Sequence, residues 1–322
     1  MTEPHAMARA IELGWAVRDR TSPNPWVGCV IEPGGYEGAT EPVGGRHAEI
    51  VALDAAGEAA RGGTLVCTLE PCAHYGRTGP CAESIVAAGI RRVVVALEDP
   101  DPRVSGAGLA RLRAAGIEVE TGLLADRVRE QLAPYLKHRN TGRPWVILKL
   151  GATLDGRTAA PDGTSKWITG EAARADAHRL RAQSDAVLVG AGTVRADDPE
   201  LTARDVDAFR QPLRVVLGSA PAAARVRPAL ELTGKPDEVL DELGRRGVLQ
   251  VLVEGGSSVA GELHRAGLVD RYVLYLAPAL LGGDDGLPVL RGPGAATMAD
   301  AWRGRILSVE RVGTDVRVEV AP

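Results

Sequence analysis

Runs of apolar residues alternate with stretches of helical periodicity along most of the chain. An unbroken apolar run predicts a buried strand, whereas apolar residues that recur every three or four positions predict a helix. The predicted strands are Trp26–Ile31, Thr64–Leu69, Arg92–Leu97, Ile117–Glu120, Trp145–Leu150, Ala186–Gly190, Leu213–Leu217 and Val248–Val253. The predicted helices are one with Met7, Ile11 and Trp15 on a single face, His47–Arg61, Ala82–Ala88, Leu109–Ala115, Ala125–Asn140, Ala172–Ala182, Pro236–Arg246 and Val259–Ala266. Such alternation is typical of the α/β class.

A stop signal divides the pattern into two series. The helix predicted at Ala125–Asn140 runs into Thr141-Gly-Arg-Pro144, and glycine followed by proline ends a helix. We therefore expect two domains, 1–143 and 144–322, a number that also suits a chain of 322 residues. No internal repeat relates the two series.

Composition and charge exclude several classes of protein. Apolar residues make up 45% of the chain and charged residues 25%, which excludes a disordered, collagenous or coiled-coil protein. The net charge is −4, and neither half has the basic excess of a nucleic-acid-binding domain. No apolar stretch suits a signal peptide or a membrane span. We expect a cytoplasmic protein with neither a nucleic-acid nor a membrane partner.

A candidate zinc site lies in the first series. His47, Cys72 and Cys81 would supply three ligands and leave a fourth position open for a water molecule, as in catalytic zinc sites. Glu49, two residues after His47, is placed to carry protons. The pattern matches the H-x-E…P-C-x-x-C signature of zinc nucleobase deaminases, except that eight residues separate the two cysteines here.

Other residues near this pattern have ordinary structural interpretations. Cys29 and Cys67 lie in predicted strands and are expected to be small core residues. In a reducing compartment, cysteines are thiols or metal ligands rather than disulfides. Asn24 precedes a strand, where it serves either the turn or the site.

Three segments of the first half resemble the N-terminal domain of the bifunctional riboflavin-biosynthesis deaminase–reductase family: Asn24–Val30, His47–Glu49 and Glu70–Cys81. The long insert between the cysteines separates this family from cytidine and tRNA-adenosine deaminases. Five further segments resemble the reductase domain of the same family: Lys149–Arg157, Ser165–Thr169, Leu180–Ser184, Thr193–Pro199 and Val253–Gly256. The resemblance implies a cytidine-deaminase-like three-layer domain followed by an α/β domain that resembles dihydrofolate reductase.

The resemblance also implies site residues. In the first domain it implies zinc bound by His47, Cys72 and Cys81, catalysis by Glu49, and substrate contacts from Asn24, His74 and Arg77. In the second domain it implies substrate contacts from Lys149, Ser165, Arg181, Leu201, Arg204 and Glu254. For NADPH it implies Ala152, Trp167, Thr193, Asp197, Ser219, Gly256, Ser257, Ser258, Val259, Ala260, Gly261 and Glu262.

The residues of the second half are less specific by themselves. Val253 to Gly261 has the pattern of a strand, glycines and a helix start, which can bind a phosphate through free N–H groups. It lacks the G-x-G-x-x-G fingerprint of a Rossmann fold. Trp167 also suits a core position, and Lys149 and Glu254 also suit the rim of a strand.

Three functions remain open at this point. The first is a bifunctional enzyme that deaminates 2,5-diamino-6-ribosylamino-4(3H)-pyrimidinone 5′-phosphate with zinc hydroxide and then reduces the ribosyl group to ribityl with NADPH. The second keeps the deaminase beside a nucleotide-binding domain whose reductase activity is lost or weakened. The third is a nucleic-acid deaminase, which the charge distribution and the long insert disfavour. A homodimer or homotetramer is expected.

One interval departs from the family pattern. Between Ser219 and Val248 the family usually carries a longer segment that borders the adenosine half of the cofactor, whereas here one helix is predicted. We therefore expect weakened NADPH binding, with Arg225 and Arg227 as candidate contacts to the 2′-phosphate.

Overall fold

The computed structural model describes residues 1–73 and 79–322. The chain divides into two compact units, Met1–Gly142 and Arg143–Pro322. Among the described residues, every helix is too short or too polar to cross a bilayer.

The first unit is built around one mixed sheet. Its strands are β1 (Gly28–Glu32), β2 (Tyr36–Ala39), β3 (Thr64–Leu69), β4 (Arg92–Leu97) and β5 (Glu118–Thr121). Its helices are α1 (Glu3–Ala16), α2 (Arg18–Thr21), α3 (Ala48–Ala56), α4 (Cys81–Ala87), α5 (Ala107–Ala114), α6 (Ala125–Gln131) and α7 (Ala133–Thr141), with a 3-10 turn at Gly57–Ala60. The strand order is β2-β1-β3-β4-β5, and β3, β4 and β5 are parallel.

Two glycines let helices pack closely on opposite faces of this sheet. A Cβ atom at Gly28 would lie 1.8 Å from the carbonyl oxygen of Ala10 on α1, and one at Gly38 would lie 2.1 Å from that of Ala48 on α3. Gly38 pairs with Cys29, the residue after Gly28, and successive residues of a strand point to opposite faces. Helices α1 and α3 therefore enclose the sheet in three layers, as expected.

The second unit contains a larger sheet. Its strands are β6 (Trp145–Thr153), β7 (Arg157–Ala159), β8 (Ala186–Gly190), β9 (Leu213–Leu217), β10 (Leu230–Leu232), β11 (Gln250–Val253), β12 (Arg271–Ala277), β13 (Leu287–Pro288), β14 (Arg305–Val312) and β15 (Asp315–Ala321). Its helices are α8 (Glu171–Ala182), α9 (Ala191–Asp197), α10 (Pro236–Arg245) and α11 (Ser257–Arg265). The order is β10-β9-β8-β11-β6-β12-β15-β14, and the first six strands are parallel.

Both faces of the larger sheet are covered by helices. Leu148 and Leu188 face a core that includes α10 and α11, whereas Ile147 and Val187 face a core that includes α8 and α9. Strands buried on both sides are apolar at every position, which explains why the strongest strand predictions come from such runs. The predicted α/β class with two domains is confirmed.

Several elements differ from the prediction. The single helix expected at Ala125–Asn140 is two helices, because Pro134 in the first turn of α7 has no N–H with which to continue α6. β2 and β10 are short strands that were not predicted. No element is predicted after Ala266, yet β12, β15 and β14 extend the larger sheet there, and the last two are antiparallel additions.

Candidate active sites

Three potential metal ligands meet where two helices of the first unit begin. His47 directly precedes α3, Cys81 is the first residue of α4, and Cys72 follows β3. The Nδ1 atom of His47 lies 3.2 Å from Sγ of Cys81 and 3.6 Å from Sγ of Cys72. Tetrahedral zinc would hold nitrogen and sulfur ligands about 3.6 Å apart. The ligand atoms lie within 4.8 Å of one another, so the residues fit the ion.

The two thiols of this cluster differ in their surroundings. The hydrogen bond from Cys81 lowers the pKa of Cys72 below its usual range, with a further contribution from His47. The backbone N–H of Cys81, at the start of α4, also donates to Cys72 Sγ at 3.4 Å, and helix N-termini stabilise thiolates. The hydrogen bond to the Cys72 thiolate raises the pKa of Cys81.

Glu49 is a buried carboxyl group in the first turn of α3, one residue into the helix from Ala48. Its exposed fraction is only 4%. Burial raises its pKa to about 7, although His47 acts in the opposite direction. A carboxyl group with this pKa can both take and release a proton near neutral pH.

The remaining predictions in the first unit have mixed outcomes. Cys29 and Cys67 are fully buried core residues that pair across β1 and β3. Asn24 is half-buried, and its N–H donates to the carbonyl of Thr21 in a turn. His74 and Arg77 lie outside the described residues.

A charged cluster lies near the carboxyl ends of the parallel strands in the second unit. The Nε and Nη2 atoms of Arg181 donate to the two oxygens of Glu254 at 2.6 and 2.9 Å. Burial alone would raise the pKa of Glu254, but Arg181 holds it below its usual range. Burial lowers the pKa of Lys149, whose Nζ lies 5.6 Å from the centre of the Tyr275 ring. Glu254 thus faces two cations.

Gly190, which ends β8, and Gly256, which follows β11, allow a close approach between helices α9 and α11. The N–H of Gly256 donates to Oγ1 of Thr193 at 2.9 Å, and a Cβ atom at Gly256 would lie 3.0 Å from that oxygen. A Cβ atom at Gly190 would lie 2.9 Å from Val259. These contacts pack the start of α11 tightly against α9, and the N–H groups in the first turn of a helix are the kind of donor that suits a phosphate.

The other predicted cofactor residues are spread around this edge of the sheet. Ser257 to Glu262 form the start of α11, Ala152 is buried in β6 and Ser219 follows β9. Asp197 ends α9, and its carbonyl accepts from Lys166. Trp167 is 70% exposed, with Arg174 over its ring at 4.5 Å, so the alternative of a core aromatic is wrong.

Two of the predicted substrate residues of the second unit, Leu201 and Arg204, lie on a loop that contacts α8. Leu201 is buried at a positive φ of 56°, and Arg204 contacts Glu200 and Thr202. Ser165 is half-buried. Arg181 is held by Glu254 and by the carbonyl of Thr202 at 3.0 Å.

The sequence reasoning missed His178 and Glu70. Nδ1 of His178 lies 3.1 Å from the carbonyl oxygen of Thr202 and 3.2 Å from the backbone nitrogen of Arg204. The sequence does indicate that His178 lies near Arg181, because residues three positions apart on a helix share a face. Glu70 directly follows the apolar strand β3, two residues before Cys72, and a buried carboxylate there needs partners.

Comparison with known proteins identifies both units. Residues 144–318, more than half of the chain, match the family described as the RibD C-terminal domain. The chain belongs to the RibD family. Residues 2–97 match the cytidine and deoxycytidylate deaminase zinc-binding region. RibD is thus a bifunctional riboflavin-biosynthesis enzyme with a zinc-dependent deaminase domain and an NADPH-dependent reductase domain, and it acts on a small molecule.

Individual RibD proteins match along almost their whole length. The riboflavin biosynthesis protein RibD of Mycobacterium tuberculosis (strain ATCC 25618 / H37Rv) is 46% identical over 97% of this chain and 95% of its own. The Acinetobacter baumannii RibD structure has a TM-score of 0.94 and 39% identity, covering 99% of this chain and 98% of its own. A Thermotoga maritima diaminohydroxyphosphoribosylaminopyrimidine deaminase/5-amino-6-(5-phosphoribosylamino)uracil reductase has a TM-score of 0.89 and 34% identity, with the same coverage.

Proposed function

We propose that this RibD protein deaminates 2,5-diamino-6-ribosylamino-4(3H)-pyrimidinone 5′-phosphate in its first unit and reduces the ribosyl group of the product in its second. The observation that carries the proposal is the convergence of His47, Cys72 and Cys81 beside the buried carboxyl group of Glu49. This arrangement supplies a three-ligand zinc site with a proton carrier next to it.

In the first unit we assign His47, Cys72 and Cys81 as the ligands that hold zinc. The bound ion would lower the pKa of a water molecule so that a nucleophile is available at neutral pH. Glu49 would take the proton from that water and deliver it to the departing amino group. Its raised pKa suits both directions of transfer.

Cys72→Ser is expected to abolish zinc retention, because a hydroxyl group does not ionise at neutral pH and cannot replace a thiolate ligand. Elemental analysis after gel filtration measures the zinc content. Cys67→Ala is the matched control, since Cys67 is a buried thiol of the same unit outside the cluster. Stoichiometric zinc in purified Cys72→Ser would contradict the assignment.

In the second unit we assign the start of α11 to the cofactor phosphates and Lys149 to the sugar. NADPH would supply a hydride to the open-chain carbon of the ribosyl group. Lys149 can donate a proton to the oxygen on that carbon, because burial lowers its pKa below its usual range and so makes the ammonium group a stronger acid. Glu254 and Arg181 form an ion pair beside Lys149.

The remaining assignments concern substrate binding. We propose that Asn24, His74 and Arg77 surround the pyrimidine and its ribose phosphate in the first unit. In the second unit we propose that Ser165, Arg181 and Arg204 contact the phosphate, with Leu201 nearby. Guanidinium groups bind phosphate bidentately. Arg204 is half-exposed at its side chain, which leaves it accessible to a ligand.

NADPH binding is expected to be weaker than in relatives with a longer segment after Ser219. The interval here contains the three-residue strand β10 and helix α10. Loss of two or three contacts worth about 1 kcal/mol each would weaken binding by about 10- to 100-fold. Calorimetric titration measures this, with NADH as the matched ligand that lacks the 2′-phosphate. Tight NADPH binding would refute the idea, and no binding at millimolar levels would favour the deaminase-only function.

A homo-oligomer, either a dimer or a tetramer, also belongs to the proposal. Strand β14 ends the sheet order of the second unit, and its Ile306 and Val309 are both at least 60% exposed. An edge strand offers unpaired N–H and C=O groups to another strand. We expect Val309→Lys to dissociate the oligomer in analytical ultracentrifugation, whereas Glu310→Lys, next to it, should not. A monomeric wild-type protein would contradict the expectation.

A cytoplasmic location is the last part of the proposal. Cys29, Cys67, Cys72 and Cys81 form no disulfide, which suits a reducing compartment.

Mass spectrometry of the reaction products tests the function as a whole. Purified protein is incubated with the pyrimidine phosphate, with and without NADPH. We expect ammonia release without NADPH, and a product carrying two additional hydrogens only when NADPH is present. Absence of ammonia release from zinc-loaded protein would overturn the proposal.

A further inference from the structure

We propose that Glu70 is a positioning residue for the zinc site: its carboxylate fixes the backbone that presents Cys72 to the metal. Glu70 follows β3 and precedes Cys72 by two residues. Its exposed fraction is 4%, so the charge is held away from water. The inference rests on the proposed role of Cys72 as a zinc ligand.

The Glu70 carboxylate accepts four hydrogen bonds, all from backbone N–H groups. One oxygen accepts from Asp99 at 3.1 Å and from Gly106 at 3.0 Å. The other accepts from Gly108 at 2.9 Å and from Leu109 at 3.2 Å. Three of these donors lie at the start of α5, where the helix dipole favours a negative charge. The carboxylate thereby ties the end of β3 to the segment between β4 and α5.

The connection continues directly to the zinc ligand. A Cβ atom at Gly108 would lie 1.9 Å from the carbonyl oxygen of Pro71, so the backbone of α5 packs against the residue before Cys72. On the other side, the carbonyl of Cys72 accepts from Ala82 at 3.1 Å on α4. Cys72 is thus held between two helices, one of which is anchored by Glu70.

A carboxylate suits this position better than an amide of the same size. A carboxylate accepts hydrogen bonds on both oxygens. A glutamine in the same place would present its NH₂ group, which is a donor, to one of the two pairs of backbone N–H groups. Those two N–H groups would be left buried without an acceptor, and the segment would shift to relieve them. Such a shift moves Pro71 and, with it, the sulfur of Cys72.

The test compares wild type, Glu70→Gln and the control Asp185→Asn. Asp185 also accepts two backbone N–H groups, from Leu249 and Gln250, but it lies in the second unit. Zinc affinity is measured by competition with a chromogenic chelator, and ligand geometry by the absorption spectrum of the cobalt-substituted protein. Residues that orient metal ligands typically change metal affinity by about 10- to 100-fold, and we expect a loss of this size in Glu70→Gln with an altered cobalt spectrum.

Two outcomes decide the inference. If Glu70→Gln is folded but keeps wild-type zinc affinity and an unchanged cobalt spectrum, with only a lower melting temperature, Glu70 is merely structural and the inference is overturned. If Glu70→Gln does not fold, Glu70→Asp, which retains the charge, is judged by the same two readouts. A wild-type protein that binds no zinc would instead refute the metal assignment itself, so the two failures are distinguishable.

Discussion

Glu49→Gln is expected to abolish deamination while zinc remains bound. Glutamine has the same size as glutamate but cannot carry a proton, and general acid–base catalysis contributes about 10²- to 10⁴-fold to a rate. Glu49 is not one of the three ligand residues, so the metal content should stay at the wild-type level. The measurement is the initial rate of ammonia release together with elemental analysis of the same sample.

Glu58→Gln serves as the matched control, because Glu58 is an exposed carboxylate just beyond the end of α3. It should deaminate at the wild-type rate. Reduction of the deaminated pyrimidine by the second unit provides an internal control for Glu49→Gln itself. A Glu49→Gln protein with full deaminase activity would exclude Glu49 as the proton carrier.

Glu254→Gln is expected to have the largest effect in the second unit. Removal of the anion leaves Arg181 and Lys149 as two buried cations without their shared partner. Breaking a buried ion pair in this way typically costs about 3–5 kcal/mol of unfolding free energy. We expect a loss of that size in urea denaturation followed by a probe in the second unit, together with loss of NADPH-dependent reduction.

A double variant separates stability from function. Arg181→Met combined with Glu254→Gln removes one of the two cations, so part of the lost unfolding free energy should return while reduction remains abolished. Glu171→Gln, an exposed position on α8, is the matched control and should change neither quantity. Full reductase activity in folded Glu254→Gln would show that Glu254 has no part in the site.

The predictable part of the fold came from strands buried on both faces. Thr64–Leu69, Arg92–Leu97, Ala186–Gly190 and Leu213–Leu217 were predicted with the bounds that the structure has. Each is an apolar run that pairs in parallel with at least one neighbouring strand, in a part of the sheet where both faces are covered and the apolar pattern leaves little ambiguity. β15 alternates valine with charged residues, which suits the less buried end of the sheet, and so short an alternation does not by itself predict a strand.

In the candidate sites, too, the sequence predicts what depends on nearby residues, and the structure is needed for contacts between distant ones. His47 and Glu49 are two residues apart, and the order of the cysteines is read directly from the chain, so the metal pattern was visible before folding. The pairing of Arg181 with Glu254 joins residues 73 positions apart. From the sequence these two residues were separate substrate contacts, and only the structure makes them partners in one ion pair.

The sequence by itself determined the α/β class, the family and the candidate zinc ligands, because each depends on residue types at short, countable spacings. The tertiary structure alone decided which donors surround Glu70, which cations face Glu254, and where the last strands join the sheet. Those contacts bring together residues that are 29 to 39 positions apart around Glu70 and farther apart around Glu254. Local periodicity carries no information on such pairs, since they form only when helices and strands pack against one another.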